Sequence, residues 1–175
     1  KILVLASNID QMVIVSSIRS PRFSPGLIDR FLILAARENI APLLFLNKWD
    51  LRKNEDEYAI EEYEKNVKII PCSAHKNINI EKVKESLKNK RSLFCGHSGV
   101  GKTSLLNALD SSLELKTSPL CRKSQKGKHT TSNSMTYYLS DQIIIIDSPG
   151  IRKFSLVFQE PEELQYYFPE FQEIS

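Results

Sequence analysis

The sequence predicts an α/β fold with a mainly parallel sheet, on three observations. Short apolar runs bounded by turn residues alternate with stretches of helical periodicity, the pattern of successive strand–helix units. Runs such as "QMVIVSSI" and "PLLFLN" carry apolar residues at successive positions, as strands covered on both faces do. One run, "RSLFCG", opens directly into a glycine-rich turn that leads to a further helical stretch.

In chain order, "QMVIVSSI" (11–18) reads as a buried strand. A helix follows over 27–38, with Leu27, Ile28, Phe31, Leu32, Leu34 and Ala35 on one stripe. "PLLFLN" (42–47) is the next strand, and 57–65 is a polar, acidic helical segment. "VKIIPCS" (67–73) is a third strand, followed by a helix over 80–87. "RSLFCG" (91–96) is a fourth strand, and a helix starts at Thr103 and runs to Leu109. From Ser111 to Ser134 there is little periodicity and much Lys, Ser and Thr, which predicts a long functional or disordered loop. "MTYYLS" and "QIIIID" then form a strand pair whose turn contains Asp141, the second strand ended by "SPG". The tail from Pro161 is acidic and aromatic, helical at first and extended at Pro169. There is no internal repeat.

The bulk numbers set bounds. A chain of 175 residues, 41% hydrophobic and 26% charged, suits one globular domain with a core. The net charge of +3 says little, but its distribution says more. From Leu115 to Ser140 there is no acid, against Lys116, Arg122, Lys123, Lys126 and Lys128. Cys72, Cys95 and Cys121 form no C-x-x-C pair, which argues against zinc within this chain and for a reducing compartment. Neither a signal peptide nor a membrane-length apolar run is present, so a cytoplasmic location without membrane contact is expected. The chain opens at Lys1 on "ILVL" without a Met, as a piece of a longer protein would.

Chemistry enters at "GHSGVGKTS", which satisfies G-x-x-x-x-G-K-[ST] between a predicted strand and a predicted helix. Gly96, Gly99 and Gly101 let the backbone curl. The N–H groups from Ser98 through Val100 to Ser104 can then point at phosphate oxygens, helped by the helix N-terminus. Lys102 would reach the β- and γ-phosphates and serve catalysis there, and the Thr103 hydroxyl would bind Mg2+. The chain is therefore expected to be a P-loop NTPase.

"NKWD" selects the base. The Asp50 carboxylate can accept two hydrogen bonds from guanine's N1–H and exocyclic amine. Adenine offers no such pair and would leave a buried Asp50 unpartnered. Lys48 can lay its stem against the base, and Asn47 can tie neighbouring loops together. "CSAHKN" follows a strand, where a backbone N–H of Ser73 or Ala74 can meet a base carbonyl; a polar helix-entry turn reads equally well. "IIIIDSPGI" puts Asp147 at a strand end, suited to hold Mg2+ through water, while the Gly150 N–H meets the γ-phosphate. Within "KGKHTTS", Thr130 or Thr131 can close on Mg2+ when a γ-phosphate is present, with Thr130 preferred as the catalytic switch residue. Ile151 stands where many GTPases carry a water-orienting glutamine, so slow turnover is expected. His129 is the nearest substitute for that role, or else an exposed loop histidine.

All the parts of a GTP hydrolase are thus present, but rotated. The base-reading motifs at 47–50 and 73–75 precede the phosphate loop at 96–103, the threonines at 130–131 and "DSPG" at 147–150. Joining the old termini near Lys88–Lys90 and cutting after the second switch gives a circularly permuted Ras-like GTPase domain. Whatever follows Gly150 is then coupled to the element that senses the γ-phosphate.

The order, with "ASNIDQMVIV", "PRFSPGLIDRFL", "LNKWDL", "GHSGVGKTSLLNAL", "KGKHTTS" and "IDSPGIRKF", resembles the RsgA (YjeQ) family of circularly permuted GTPases along nearly the whole chain. The resemblance implies GTP hydrolysis to GDP, stimulated by the small ribosomal subunit and coupled to its late maturation, with Mg2+, 16S rRNA contact and a monomeric state. The alternatives are a GTP-gated RNA- or ribosome-binding module with incidental hydrolysis, and a permuted GTPase of large-subunit assembly, against which "N-x-D-Q" and "P-x-F-S" argue. It also implies a permuted GTPase domain over 1–158 and the start of a C-terminal extension over 159–175. Family members add an N-terminal OB-fold and a C-terminal zinc-binding domain, both expected outside this chain. The basic loop from Lys116 to Lys128 agrees with an RNA-facing switch, or with a loop that meets only the nucleotide's phosphates.

Overall fold

In the computed structural model, residues 8–56, 58–115 and 135–147 are described. Strand β1 (Gln11–Ser17) is buried at every position, because alternate residues feed two cores. Val13 and Val15 point to one face with Phe45, Phe94 and Leu105. Met12 and Ile14 point to the other with Ile28, Phe31 and Leu44. A period-2 strand with both faces covered carries apolar residues at successive positions, as Met12 to Val15 do here, with the polar Gln11, Ser16 and Ser17 buried at its ends.

Helix α1 (Pro25–Arg37) covers the second face. It begins two residues before the expected Leu27, with Pro25 in the first turn, where the missing N–H is not needed and φ is preset. Its end is set by Asn39, left-handed at φ 53°, and by the Ile40 N–H donating to the Ala35 carbonyl at 2.8 Å. Strand β2 is Ala41–Asn47. The acidic segment splits into a 3-10 turn Asn54–Asp56 and helix α2 (Tyr58–Glu64), shorter than the expected 57–65. The Tyr63 hydroxyl donates to Asp29 Oδ1 and ties α2 to α1.

Strand β3 (Lys68–Pro71) stops before the expected Ser73, whose N–H turns to the Ile78 carbonyl. Helix α3 (Ile80–Leu87), strand β4 (Arg91–Cys95) and helix α4 (Lys102–Leu109) follow, with α3 and α4 packed on the first face. The irregular stretch expected from Ser111 starts later. Ser111–Leu113 is a 3-10 turn, and Asn107 exchanges hydrogen bonds of 2.8 and 2.9 Å with the Leu115 backbone. Residues 116–134 lie outside the described chain. Strands β5 (Met135–Tyr138) and β6 (Ile144–Asp147) form the hairpin expected around Asp141.

The sheet order is β3-β2-β1-β4-β6-β5. All neighbours are parallel except β5 against β6. From β1 the chain goes to β2 on one side, while β4 lies on the other. Carboxyl ends at such a reversal leave a crevice between diverging loops. The carboxyl ends of the parallel strands β1, β2, β3, β4 and β6 all lie on that side. At the opposite pole the α3–β4 junction is clamped by Gln11. Its amide donates to the Ser86 carbonyl at 3.1 Å and Ser92 Oγ at 2.9 Å, and accepts from Lys90 Nζ at 3.1 Å.

Candidate nucleotide-binding site

The glycine loop after β4 has the backbone its sequence asks for. A Cβ on Gly96 would stand 2.2 Å from the Val15 carbonyl oxygen, so only glycine lets the loop leave β4 pressed against β1. Gly101 caps α4 at φ 97°, a left-handed value that favours glycine. A Cβ there would stand 2.3 Å from Asn47 Nδ2. Lys102 Nζ donates to the Gly96 carbonyl at 2.8 Å and the His97 carbonyl at 3.4 Å, so the loop encircles the ammonium. His97, Ser98 and Gly99 are exposed at its tip, while Val100 is buried and Thr103 and Ser104 are half-buried in the first turn of α4. A helix N-terminus behind a curled backbone and a cation can hold an anion.

Asn47, at the end of β2 and 2% exposed, is the hub beside it. Its Nδ2 donates to the Val100 carbonyl at 2.8 Å, and its Oδ1 accepts from the Ala74 N–H at 3.1 Å. One side chain thus joins three loops that the sequence separates widely. Lys48 is left-handed at φ 61°, and its Nζ donates to the Gly99 carbonyl at 2.8 Å and to the Ser20 carbonyl. Burial pulls Lys48 below the usual lysine range, with Asp50 pulling it back.

Asp50 sits in a 3-10 turn (Trp49–Leu51) and accepts from Ser73 Oγ. That hydroxyl in turn accepts from the Lys76 N–H at 3.1 Å, which leaves its proton for Asp50. Two details differ from the sequence reading. Asp50 is exposed rather than buried, because it stands on the turn at the mouth of the crevice. The Ser73 and Ala74 N–H groups are both engaged, with the Ile78 carbonyl and Asn47 Oδ1. Neither points an unused N–H at a base carbonyl, since the loop spends both on its own closure.

Asp147 ends β6, next to β4 in the sheet. Its Oδ1 is buried without a hydrogen-bond partner. Burial pushes its carboxyl up, and the Lys102 charge opposes that. An orphaned buried acceptor close to a phosphate loop fits a cation. Among the described residues no group of three or more His, Cys, Asp or Glu could hold a metal. Mg2+ takes few protein ligands and completes its shell with phosphates and water. Thr103 and Asp147 are the described residues that could hold it. His129, Thr130, Thr131, Gly150 and the basic residues from Lys116 to Lys128 lie outside the described residues.

Sequence reasoning missed the loop after β1. The Arg19 guanidinium grips both oxygens of Asp56, at 3.0 and 3.0 Å, and the adjoining Ser20 carbonyl receives Lys48. In the sequence, Asp56 lies in a stretch dominated by acids from Glu55 to Glu64, and no spacing ties it to Arg19.

The chain is similar to known proteins. The model of the family described as RsgA GTPase matches residues 1–157. The chain is 40% identical over 173 residues to the small ribosomal subunit biogenesis GTPase RsgA of Flavobacterium johnsoniae, covering 96% of this chain and 53% of that protein. The protein of the same name from Thermotoga neapolitana is 37% identical over 171 residues, covering 95% and 58%. The crystal structure of YjeQ from Thermotoga maritima superposes with a TM-score of 0.76 at 34% identity, covering 94% of this chain and 56% of that one. YloQ, described as a circularly permuted GTPase, gives 0.66 at 28% identity, covering 95% and 53%. The chain spans about half the length of the curated relatives it matches.

Proposed function

The chain belongs to the RsgA GTPase family, and from that premise we propose that it binds GTP with Mg2+ and hydrolyses it to GDP and phosphate. The observation that carries the reading is Asn47, whose side chain bonds the phosphate loop at Val100 and the 73–74 loop at Ala74. A chance tetrapeptide has no reason to be stitched into a phosphate loop.

In this reading Asp50, held by Ser73, accepts from the guanine edge. Lys48 closes the base side through the Gly99 carbonyl. The loop N–H groups and Lys102 hold the β- and γ-phosphates and stabilise charge that builds on the bridging oxygen. Thr103, and Asp147 through water, would hold the Mg2+, with Thr130 or Thr131 proposed to join them in the GTP-bound form. When bound, Mg2+ supplies Lewis-acid polarisation of the phosphates. Ile151 cannot orient water, so His129 is proposed for that task and Gly150 N–H for the γ-phosphate. His129→Ala is expected to slow turnover without weakening GTP binding greatly.

The role we infer for the whole protein is that of a monomeric cytoplasmic factor acting on the small ribosomal subunit and its 16S rRNA. Its support is the names of the relatives and the basic run from Lys116 to Lys128. No helix among the described residues is long and apolar enough to cross a membrane. Single-turnover GTP hydrolysis with and without small subunits tests the role. Strong stimulation is expected, and equal rates would leave a nucleotide-gated binding module with incidental hydrolysis.

A further inference from the structure

The loop after β1 is stitched to the base-reading segment at three levels. The Ile18 N–H donates to the Asn47 carbonyl at 3.0 Å. The Ser20 carbonyl accepts from Lys48 Nζ, the same ammonium that reaches Gly99 in the phosphate loop at 2.8 Å. Between them, Arg19 forms a two-pronged ion pair with Asp56, whose Oδ2 also accepts from the Lys53 N–H at 2.8 Å. Ser17 Oγ closes the loop on itself by donating to the Pro21 carbonyl at 2.8 Å. The pair is shielded, with side-chain exposures of 30% for Arg19 and 16% for Asp56, so water screens it less than a surface contact. A planar fork on a carboxylate fixes distance and orientation together.

The consequence is mechanical. Residues 47–51 carry the base-reading groups; Ile18 and Ser20 bond to them from the loop after β1, and residues 53–56 follow them directly in the chain, closed on themselves by the Lys53–Asp56 bond. Arg19–Asp56 is the rivet between those flanks. We propose that Arg19 is a positioning residue for the guanine nucleotide. Through Asp56 it fixes the Ser20 carbonyl that holds Lys48 over the base side of the pocket. This rests on the GTP reading above. It extends that reading to a segment no nucleotide motif contains.

The test is GDP affinity by titration of a fluorescent GDP analogue, in the Arg19→Ala, Asp56→Asn and Lys48→Ala variants and their pairs. Arg19→Ala and Asp56→Asn are each expected to weaken GDP by roughly three- to tenfold, with the pair no worse than either alone. In the Lys48→Ala background, Arg19→Ala is expected to add nothing, because its path runs through that ammonium. Arg19→Lys should restore little, since an ammonium lacks the fork. Additive losses in the Arg19–Lys48 pair, or unchanged GDP affinity in Asp56→Asn, which keeps the shape of the side chain, overturn the proposal. Failure of the unmutated chain to bind GDP overturns instead the nucleotide reading beneath it.

Discussion

At the residue scale the site turns on side chains that leave no room for a neighbour. Asn47 fits only because Gly101 lacks a Cβ, so base loop and phosphate loop are complementary at one point. Asn47→Ala orphans the Val100 carbonyl and the Ala74 N–H, at about 1–3 kcal/mol for each buried group left unpaired. Urea unfolding is expected to show that loss, with GDP affinity falling in parallel; a variant as stable as the parent contradicts it. Gly101→Ala is expected to weaken nucleotide binding as severely, from the other partner's side. Asp56 has a pH consequence. The Lys53 N–H first, then the Arg19 guanidinium, hold its carboxyl below the usual range. A depressed folded pKa stabilises above the unfolded value and loses that stabilisation as pH falls through the folded one. Asp56→Asn should therefore flatten the acid limb of stability between about pH 5 and 3. Of these details the sequence displayed the residue types but not the fit. Glycine at 101 follows from the motif, while its contact with Asn47 needs the two loops in space.

At the element scale the apolar runs were legible because burial on both faces leaves no alternation to misread. The departures lie at ends, where local groups decide. Pro25 starts α1 early, and Ser73 leaves β3 to close a turn with Ile78. Asn107 ties Leu115 back to α4, which delays the loop expected from Ser111. None of these bonds has a periodicity, so a pattern reading passes over them. Gln11 is of the same kind. It sits in a buried strand and holds the α3–β4 junction, where the order of the motifs places the rejoined termini. Gln11→Ala is expected to cost about 1–3 kcal/mol of stability while leaving GDP affinity unchanged. Equilibrium unfolding with a GDP titration on the same samples checks both halves. Phe94 packs edge-on against Phe45 in the core under the site, with ring centroids 5.9 Å apart. Phe94→Ala should cost about 3–5 kcal/mol, read by the same unfolding measurement.

At the scale of the whole molecule, the rotated motif order that looked misplaced in the sequence resolves into sheet order. β1, β2 and β3 lie on one side of the switch point, and β4, β6 and β5 on the other. The motifs after β2, β3 and β4 open on one end, where β6 also ends at Asp147. That convergence was predictable, because loops at carboxyl ends of parallel strands share a side wherever the chain is cut. The strap from Arg19 to Asp56 was not, because it joins two stretches with no chemistry of their own. The central claim is that "NKWD" and the glycine loop form one guanine pocket. Its most direct test is equilibrium binding of GTP against ATP to this chain with Mg2+, repeated with Asp50→Asn. The account predicts GTP binding tighter than ATP by roughly two orders of magnitude or more, and loss of that preference in Asp50→Asn. Equal binding of GTP and ATP by the unmutated chain would contradict it.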